Sequence, residues 1–211
     1  MRILYTLFIF FGFILSSLQL DAQEQRFKAQ VIAGLNASQL DGDRSAGYNK
    51  LGFVGGLSGV ILLAPKIDVN IELLYSQRGS RSSLVPDNSV FPFKIIADFI
   101  EVAALFNYKD WLDSSGDYYK FHFHGGFSYG RLIRSEAEDE TAGSNLEVAA
   151  QNFNKNDASF MLGATFFTGP HLGFTFRWST SIGPLYFNDS QNINVPSLRS
   201  YLISFRTVYM F

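Results

Sequence analysis

The segment Leu198–Phe211, which reads LRSYLISFRTVYMF and ends the chain, constrains the fold most. In a β-strand, alternate residues point to opposite faces. One face would carry Tyr201, Ile203, Phe205, Thr207, Tyr209 and Phe211. The other would carry Ser200, Ser204 and Arg206 beside Leu202, Val208 and Met210. An aromatic outer face, a more polar inner face and a terminal Phe are typical of strands in bacterial outer-membrane β-barrels.

The start of the chain agrees with this compartment. Met1-Arg2 is a short basic region, Ile3–Leu15 is apolar, and Ser16–Ala22 is more polar and ends in a small residue. This order predicts a secretory signal peptide over residues 1–22, which leaves 23–211 as the barrel domain. A retained membrane helix is the alternative, but the apolar stretch is shorter than the roughly 20 residues that a span needs. The chain has no cysteine, which excludes a lipoprotein anchor and disulfides.

Alternation between apolar and polar residues recurs in eight segments. They run over about Arg26–Ser38, Leu51–Leu63, Ile67–Arg78, Lys94–Tyr108, Tyr119–Tyr129, Ala158–Phe166, Leu172–Ile182 and Leu198–Phe211. An even number of such segments predicts an all-β fold, an eight-stranded antiparallel up-and-down transmembrane β-barrel preceded by a cleavable signal peptide. The fourth segment is irregular because Asp98 falls on its apolar side. We expect a bulge there, or a strand that begins near Phe99.

The connections between these segments alternate in length. Four are long: Gln39–Lys50, Gly79–Phe93, Leu132–Asn156 and Gly183–Ser197. The turns Ala64–Lys66 and Gly169–Pro170 are short, and Lys109–Tyr118 is intermediate. Since outer-membrane barrels have short periplasmic turns and long external loops, we expect both termini in the periplasm.

A soluble β-sandwich would also alternate, with its apolar face toward a core. Three features favour the membrane: aromatic residues at strand ends, polar faces rich in Gly, Ser and Thr, and the predicted signal peptide. A net charge of −2 leaves no basic patch, so nucleic-acid binding is excluded. Eight strands enclose a lumen that side chains can fill, so we predict a closed barrel in contact with outer-membrane lipid.

Two stretches resemble a known family. They are Gly52–Leu57 through Ile71–Gly79, which ends IELLYSQRG, and Phe99–Tyr108, FIEVAALFNY. They are similar to the PorT-like outer-membrane β-barrels of Bacteroidetes, in which a Glu-Leu-x-Tyr-Ser-x-Lys-Gly pattern precedes Tyr-x-Glu-Ile-Pro-Leu-Leu-x-Lys-Tyr. Here Arg78 replaces the Lys, Phe99 the first Tyr, Ala103 the Pro and Asn107 the second Lys. The resemblance implies an eight-stranded outer-membrane barrel, while the namesake's part in type IX secretion is not carried over.

The inward faces carry charged residues on several strands. By strand phase, Glu72 and Glu101 point inward on one neighbouring pair and Arg177 and Arg206 on another. Lys120 is predicted to join this lumen ion-pair network, as are Lys28, Asp68 and Arg78. Because isolated buried charges are costly, we expect these groups to pair and to close the lumen. A gated ion path or acid/base chemistry at the two glutamates are alternatives.

His122 and His124 lie two residues apart on one strand and so face the lumen together. This spacing can chelate a metal if a third ligand is present, but no other Cys or His is placed to help. No Ser/His/Asp order stands out, and the histidines lie toward the periplasmic half. We therefore predict no catalytic residues, no metal and no cofactor.

The longest loop holds an acidic run, Glu136, Glu138, Asp139 and Glu140, which is read as a solvated tip or as a contact for a divalent cation or partner. In the longer periplasmic turn, Trp111 is either an interfacial anchor or part of a partner contact. The chain is expected to be a structural or interaction barrel with an envelope protein partner bound through loops. A component of a secretion or envelope-assembly machine and a lipid-modifying enzyme are the alternatives.

Overall fold

The computed structural model describes residues 26–42, 47–82, 93–139, 150–186 and 197–211. The predicted signal peptide lies outside these residues. Eight strands make up nearly all of the described chain: β1 (Phe27–Asp41), β2 (Lys50–Ala64), β3 (Ile67–Arg81), β4 (Phe93–Leu112), β5 (Tyr119–Asp139), β6 (Asn156–Phe167), β7 (Leu172–Ser181) and β8 (Arg199–Met210). In the described ranges, no helix is both long and apolar enough to cross a membrane.

The strands pair in chain order as a closed antiparallel barrel, which confirms the predicted fold. Closure is made by β1 and β8, whose register runs from Gln30 opposite Met210 to Asp41 opposite Arg199. Every strand therefore has a partner on both sides. That leaves no row of backbone N–H and C=O groups facing lipid, where they would find no water.

The predicted alternation is present on each strand. On β8, Phe205 is 61% and Tyr209 is 45% exposed, whereas Ser204 and Arg206 are buried. Large apolar side chains cover the outside of the other strands in the same way, among them Leu57, Leu73, Phe106, Phe127 and Phe176. The outer surface is thus a band of apolar side chains suited to lipid, and the inner surface is the site of interest.

The two ends of the barrel differ in their connections. Residues 65–66, 113–118 and 168–171 join strands at the end that also holds Arg26 and Phe211, which we call the turn end. Residues 42–49, 82–92, 140–155 and 182–198 join strands at the opposite end, the loop end. The alternation of short and long connections is as predicted.

Strands β4 and β5 are much longer than the others, with 20 and 21 residues against 10 in β7. The prediction that Glu136, Glu138 and Asp139 lie in a loop is wrong, because β5 continues to Asp139 and pairs with β4 there. Pairing with a neighbouring strand satisfies the backbone and allows charged residues to continue a strand beyond the lipid. Glu140 lies outside the described residues.

The irregularity predicted near Asp98 is real, but the extra residue is on the other strand. Asp98 is opposite Arg134 and Phe99 is opposite Leu132, so Ile133 of β5 has no counterpart. Strand β4 itself keeps one phase, with Ala97 and Phe99 inward and Asp98 on the outward side. Asp98 is nevertheless only 3% exposed, and Arg134 lies 4.0 Å away.

Gly79 of β3 packs closely against the backbone of β4. Its φ is 145°, and a Cβ atom there would collide with the carbonyl oxygen of Ile95. A residue with a side chain would be strained by both the dihedral and the contact. The glycine that ends the IELLYSQRG stretch thus has a backbone role.

Candidate functional site

The centre of the lumen is occupied by a carboxylate that two arginines share. Glu72 of β3 accepts hydrogen bonds from Nη1 and Nη2 of Arg177 on β7, at 2.6 and 2.8 Å. Arg206 on β8 places its Nη1 3.6 Å from Glu72 Oε2. Strands β3 and β7 are on opposite sides of the barrel, so the bidentate pair spans the lumen. We call Glu72, Arg177 and Arg206 the Glu72 cluster.

A second cluster lies nearer the loop end. Arg78 of β3 donates from Nη2 to Glu101 of β4 and from Nη1 to Asp157 of β6, both at 2.7 Å. All three side chains are buried. Glu101 was predicted to face the lumen, and the structure gives it Arg78 as its partner. Asp157 was missed because the sixth strand was predicted to begin at Ala158. We call these three residues the Arg78 cluster.

Small polar side chains join the two clusters. Arg206 donates to Ser204 Oγ at 3.2 Å, and Ser204 donates to Asn36 Oδ1 at 2.8 Å. Asn36 Nδ2 donates to Ser76 Oγ at 3.1 Å, and Arg78 Nε donates to the same oxygen at 3.4 Å. The Ser and Asn residues of the inner faces therefore make one hydrogen-bonded network that connects strands β1, β3 and β8.

The two clusters contain three arginines and three carboxylates, so their formal charges cancel. Burying them is nevertheless costly unless every polar atom finds a partner. Within the two clusters, Nε and Nη1 of Arg206 and Oε1 of Glu101 have no hydrogen-bond partner among the described residues. Arg206 is thus held less completely than Arg177, which has two bonds to Glu72 and a third, from Nε to His124 Nε2, at 3.2 Å.

Lys120 does not join this network, which corrects the prediction. Its Nζ lies 2.9 Å from Asp113 in the 113–118 turn and 5.5 Å from the ring centre of Trp111. Lys120 has the inward phase but is the second residue of β5, so its long side chain can reach out of the lumen to the turn. Ser115 also donates to Asp113 through its N–H and its hydroxyl, and these contacts with Lys120 and Ser115 hold the pKa of Asp113 well below its usual range.

At the turn end, a third polar group lines the lumen wall. Lys109 of β4 lies 3.2 Å from Asp68 of β3, and Asn107 donates to Asp68 at 2.6 Å. Asp68 was expected to join the luminal charges. The predicted network did not include Lys109 and Asn107, although both have the inward phase of β4.

The loop end of the lumen is filled by apolar side chains instead. Its members are buried: Leu40, Phe93, Ile95, Ala97, Phe99, Ala150, Phe153, Leu185, Tyr186 and Leu198. Strands β1 and β4, the segment before β6 and the residues between β7 and β8 contribute to this set, which we call the apolar plug. The ring of Phe99 lies 4.9 Å from the guanidinium carbon of Arg78, so the plug rests directly on the Arg78 cluster.

His122 and His124 face the lumen as their spacing predicts. His124 is buried and accepts a hydrogen bond from Arg177, while His122 packs at 4.5 Å on the ring of Phe167. Within the described residues, no group of three His, Cys, Asp or Glu side chains is arranged to hold a metal ion.

Two spaces open inward from the turn end. The larger is a cavity of about 530 Å³ at the mouth of the barrel, which we call the vestibule. Arg26, Lys28, Lys109, His122, Phe167 and Met210 are among the residues that line it. Beyond His122 lies a space of about 10 Å³ bordered by Asn70, Glu72 and Arg177, which is about the volume that one water needs.

Comparison with known proteins agrees with this architecture. Residues 19–186 match the family described as "Outer membrane protein beta-barrel domain". No curated protein is similar enough in sequence to be recognised as a relative.

Several solved structures are similar to this chain. The attachment invasion locus protein Ail of Yersinia pestis is 12% identical, with a TM-score of 0.48 over 89% of this chain and 100% of that one. Neisserial surface protein A is also 12% identical, with a TM-score of 0.47 over 89% and 98%. Outer Membrane Protein W of E. coli is 12% identical, with a TM-score of 0.38 over 90% and 100%. The family match spans most of the chain, and this protein therefore belongs to the outer-membrane β-barrel proteins.

Proposed function

We propose that this protein is a non-conducting barrel with a structural or interaction role in the outer membrane. The observation that carries the proposal is the bidentate bridge between Glu72 and Arg177, which spans the lumen between opposite strands. The Arg78 cluster and the apolar plug add two further layers toward the loop end. A solute would have to break paired, buried charges and then displace packed apolar side chains.

Reconstitution in lipid vesicles tests this proposal. The chain from residue 23 to 211 is refolded into vesicles, examined unheated and boiled on a gel, and assayed for conductance in the same preparation. We expect a band whose mobility changes on boiling and no conductance above that of empty vesicles. A porin in matched vesicles is the positive control. Discrete conductance from the folded band would contradict the closed lumen.

We further propose that both termini lie in the periplasm. The support is that the short connections 65–66, 113–118 and 168–171 share an end with Arg26 and Phe211. The natural chain has no cysteine, so single cysteines report orientation cleanly. In intact cells, a membrane-impermeant maleimide should label Tyr48→Cys at the loop end and spare Ser115→Cys in the turn. The reverse pattern would invert the orientation.

We also propose that the protein is a PorT-like barrel with a signal peptide over residues 1–22. The two stretches that carry this resemblance meet in the lumen, because Arg78 of the first pairs with Glu101 of the second at 2.7 Å. The family's Lys at the first position and Glu at the second would conserve that charge pairing. N-terminal sequencing of the secreted protein tests cleavage after Ala22.

This resemblance makes a component of a secretion or envelope-assembly machine the second candidate. Crosslinking in intact cells followed by purification distinguishes the two roles: a stoichiometric envelope protein crosslinked to this barrel supports the machine, and an isolated barrel supports the structural role.

We also propose that the protein is not an enzyme. His122 and His124 are enclosed in the lumen, one packed on Phe167 and the other bonded to Arg177, so neither faces the lipid where an acyl chain would lie. Incubation of the folded protein with lipid A and phospholipids should leave both unchanged by mass spectrometry. A product that disappears in His122→Ala or His124→Ala would overturn this proposal.

A further inference from the structure

The geometry points to the vestibule as a binding site for a small organic anion that enters from the turn end. This inference goes beyond the proposed structural role. The volume of about 530 Å³ falls in the range of small-molecule pockets. The barrel is closed above the vestibule by the Glu72 cluster, so a ligand that enters must leave by the same mouth.

Charge sets the class of ligand. Arg26 and Lys28 lie at the vestibule on the β1 side, and neither is within salt-bridge distance of a carboxylate in the part of the chain that the structure describes. Lys109, the third cation of the wall, is already paired with Asp68 at 3.2 Å. Asp117 is the second carboxylate of the lining, so three cations face two carboxylates. Arg26 and Lys28 are therefore the groups that an incoming carboxylate or similar anion would neutralise.

The remaining wall favours an organic anion over an inorganic one. Leu63, Pro65 and Pro170 line the vestibule beside Phe167 and Met210, and the imidazole of His122 packs against the ring of Phe167 at an interplanar angle of 40°. A pocket with apolar walls and one charged side orients an amphiphilic ligand, with its anionic group toward Lys28 and its apolar body toward Phe167. An inorganic ion would leave that apolar wall wet.

The test uses the chain 23–211 folded in lipid nanodiscs, with 4-fluorobenzoate as the probe and ¹⁹F NMR as the readout. Empty nanodiscs report partition into lipid. We expect saturable binding to the folded barrel and none for the neutral isostere 4-fluorobenzamide. Lys28→Gln should weaken binding about tenfold or more, because it removes a charge-assisted contact. Lys66→Gln is the matched control, since Lys66 lies at the same end but pairs with Asp110 at 3.4 Å.

Each variant is first checked for the heat-dependent shift of the folded barrel. Phe167→Leu is the second variant and keeps the test decisive if Lys28→Gln does not fold. It should weaken the binding of 4-fluorobenzoate and leave the binding of inorganic phosphate unchanged. Absence of saturable binding to the folded natural chain overturns the site. Equal binding by Lys28→Gln, or displacement of the probe by phosphate at equal concentration, overturns the assignment to an organic anion.

Discussion

The two halves of the lumen are closed by opposite kinds of chemistry. Midway along the barrel, buried charges pair in the Glu72 and Arg78 clusters, and toward the loop end the apolar plug packs ten apolar residues, although Lys50 of β2 is also buried at that end. A buried charged pair is directional, and removing one partner lowers the free energy of unfolding strongly because the other charge stays buried. Apolar packing is non-directional, and the free energy of unfolding falls in proportion to the side-chain volume removed. The polar half therefore specifies which strands face one another, and the apolar half fills the space that remains.

The largest effect on stability is expected from a change at Glu72. Glu72→Leu leaves Arg177 and Arg206 buried without a carboxylate and should lower the free energy of unfolding by about 3–5 kcal/mol. Equilibrium unfolding in urea from lipid vesicles measures this loss. Glu136→Leu is the control, because Glu136 pairs with Arg134 on the exposed surface and its loss should change the free energy of unfolding far less.

Arg206→Met separates the two arginines of the same cluster. Arg177 still holds Glu72 by two bonds, and the Arg206 atoms that lack hydrogen-bond partners are removed with the guanidinium. We expect a change of less than about 1.5 kcal/mol in either direction. A loss as large as that of Glu72→Leu would show that the two arginines share the carboxylate equally.

In the apolar half, the corresponding change is Leu198→Ala. Leu198 is fully buried in the plug, so its truncation should cost about 2–4 kcal/mol through lost contacts and the cavity that remains. Conductance should stay absent because the charged layers below are intact. Leu57→Ala on the lipid face is the matched control: lipid can fill the space, so a smaller loss is expected in the same unfolding measurement.

At the boundary between the halves, the ring of Phe99 packs on the guanidinium of Arg78. A double-mutant cycle with Phe99→Leu and Arg78→Met should give a coupling energy of about 1–2 kcal/mol, as expected for a desolvated cation–π pair. Unfolding free energies of the four proteins provide the cycle. Additive effects would mean that the two halves are energetically independent.

The smallest expected effect is a pH dependence at the turn end, outside both halves. The pKa of Asp113 is held below its usual range by Lys120 and Ser115, so its contribution is present above the unfolded pKa of about 3.9 and is lost as pH falls through the folded pKa. The urea midpoint of the natural chain should exceed that of Asp113→Asn at pH 7. The difference should shrink below about pH 4, and a constant difference would exclude the ionised carboxylate as its source.

Much of the fold was readable from the sequence because a membrane barrel imposes one simple rule on every strand. Residues such as Phe205 and Arg206 alternate between lipid and lumen, and that period of two locates strands and faces at once. Strand ends were less readable. Beyond the lipid the rule no longer applies, so the charged continuation of β5 to Asp139 looked like a loop.

The candidate site was readable only as a set of inward charges. Phase placed Glu72, Glu101, Arg177 and Arg206 in the lumen but could not assign partners, because that depends on how opposite strands are staggered across the barrel. Lys120 shows a second limit, since a long side chain at a strand end can reach out of the lumen. The apolar plug was missed because Ile95, Ala97 and Phe99 point inward where polar residues were expected, and this was read as a change of phase.

The unequal strand lengths give the barrel a front and a back. Arg131 is opposite Asn156, the first residue of β6, so β6 does not accompany β5 from there to Asp139, whereas β3 stays paired with β4 as far as Arg81 opposite Lys94. At about 3.3 Å per residue and a tilt near 40°, the loop end of β5 stands about 20 Å above the start of β6. A barrel of eight similar strands would look alike from every direction in the membrane plane. This barrel is raised on one side only. A partner that docks at the loop end, or a second barrel beside it, can therefore distinguish one orientation in the membrane plane from another.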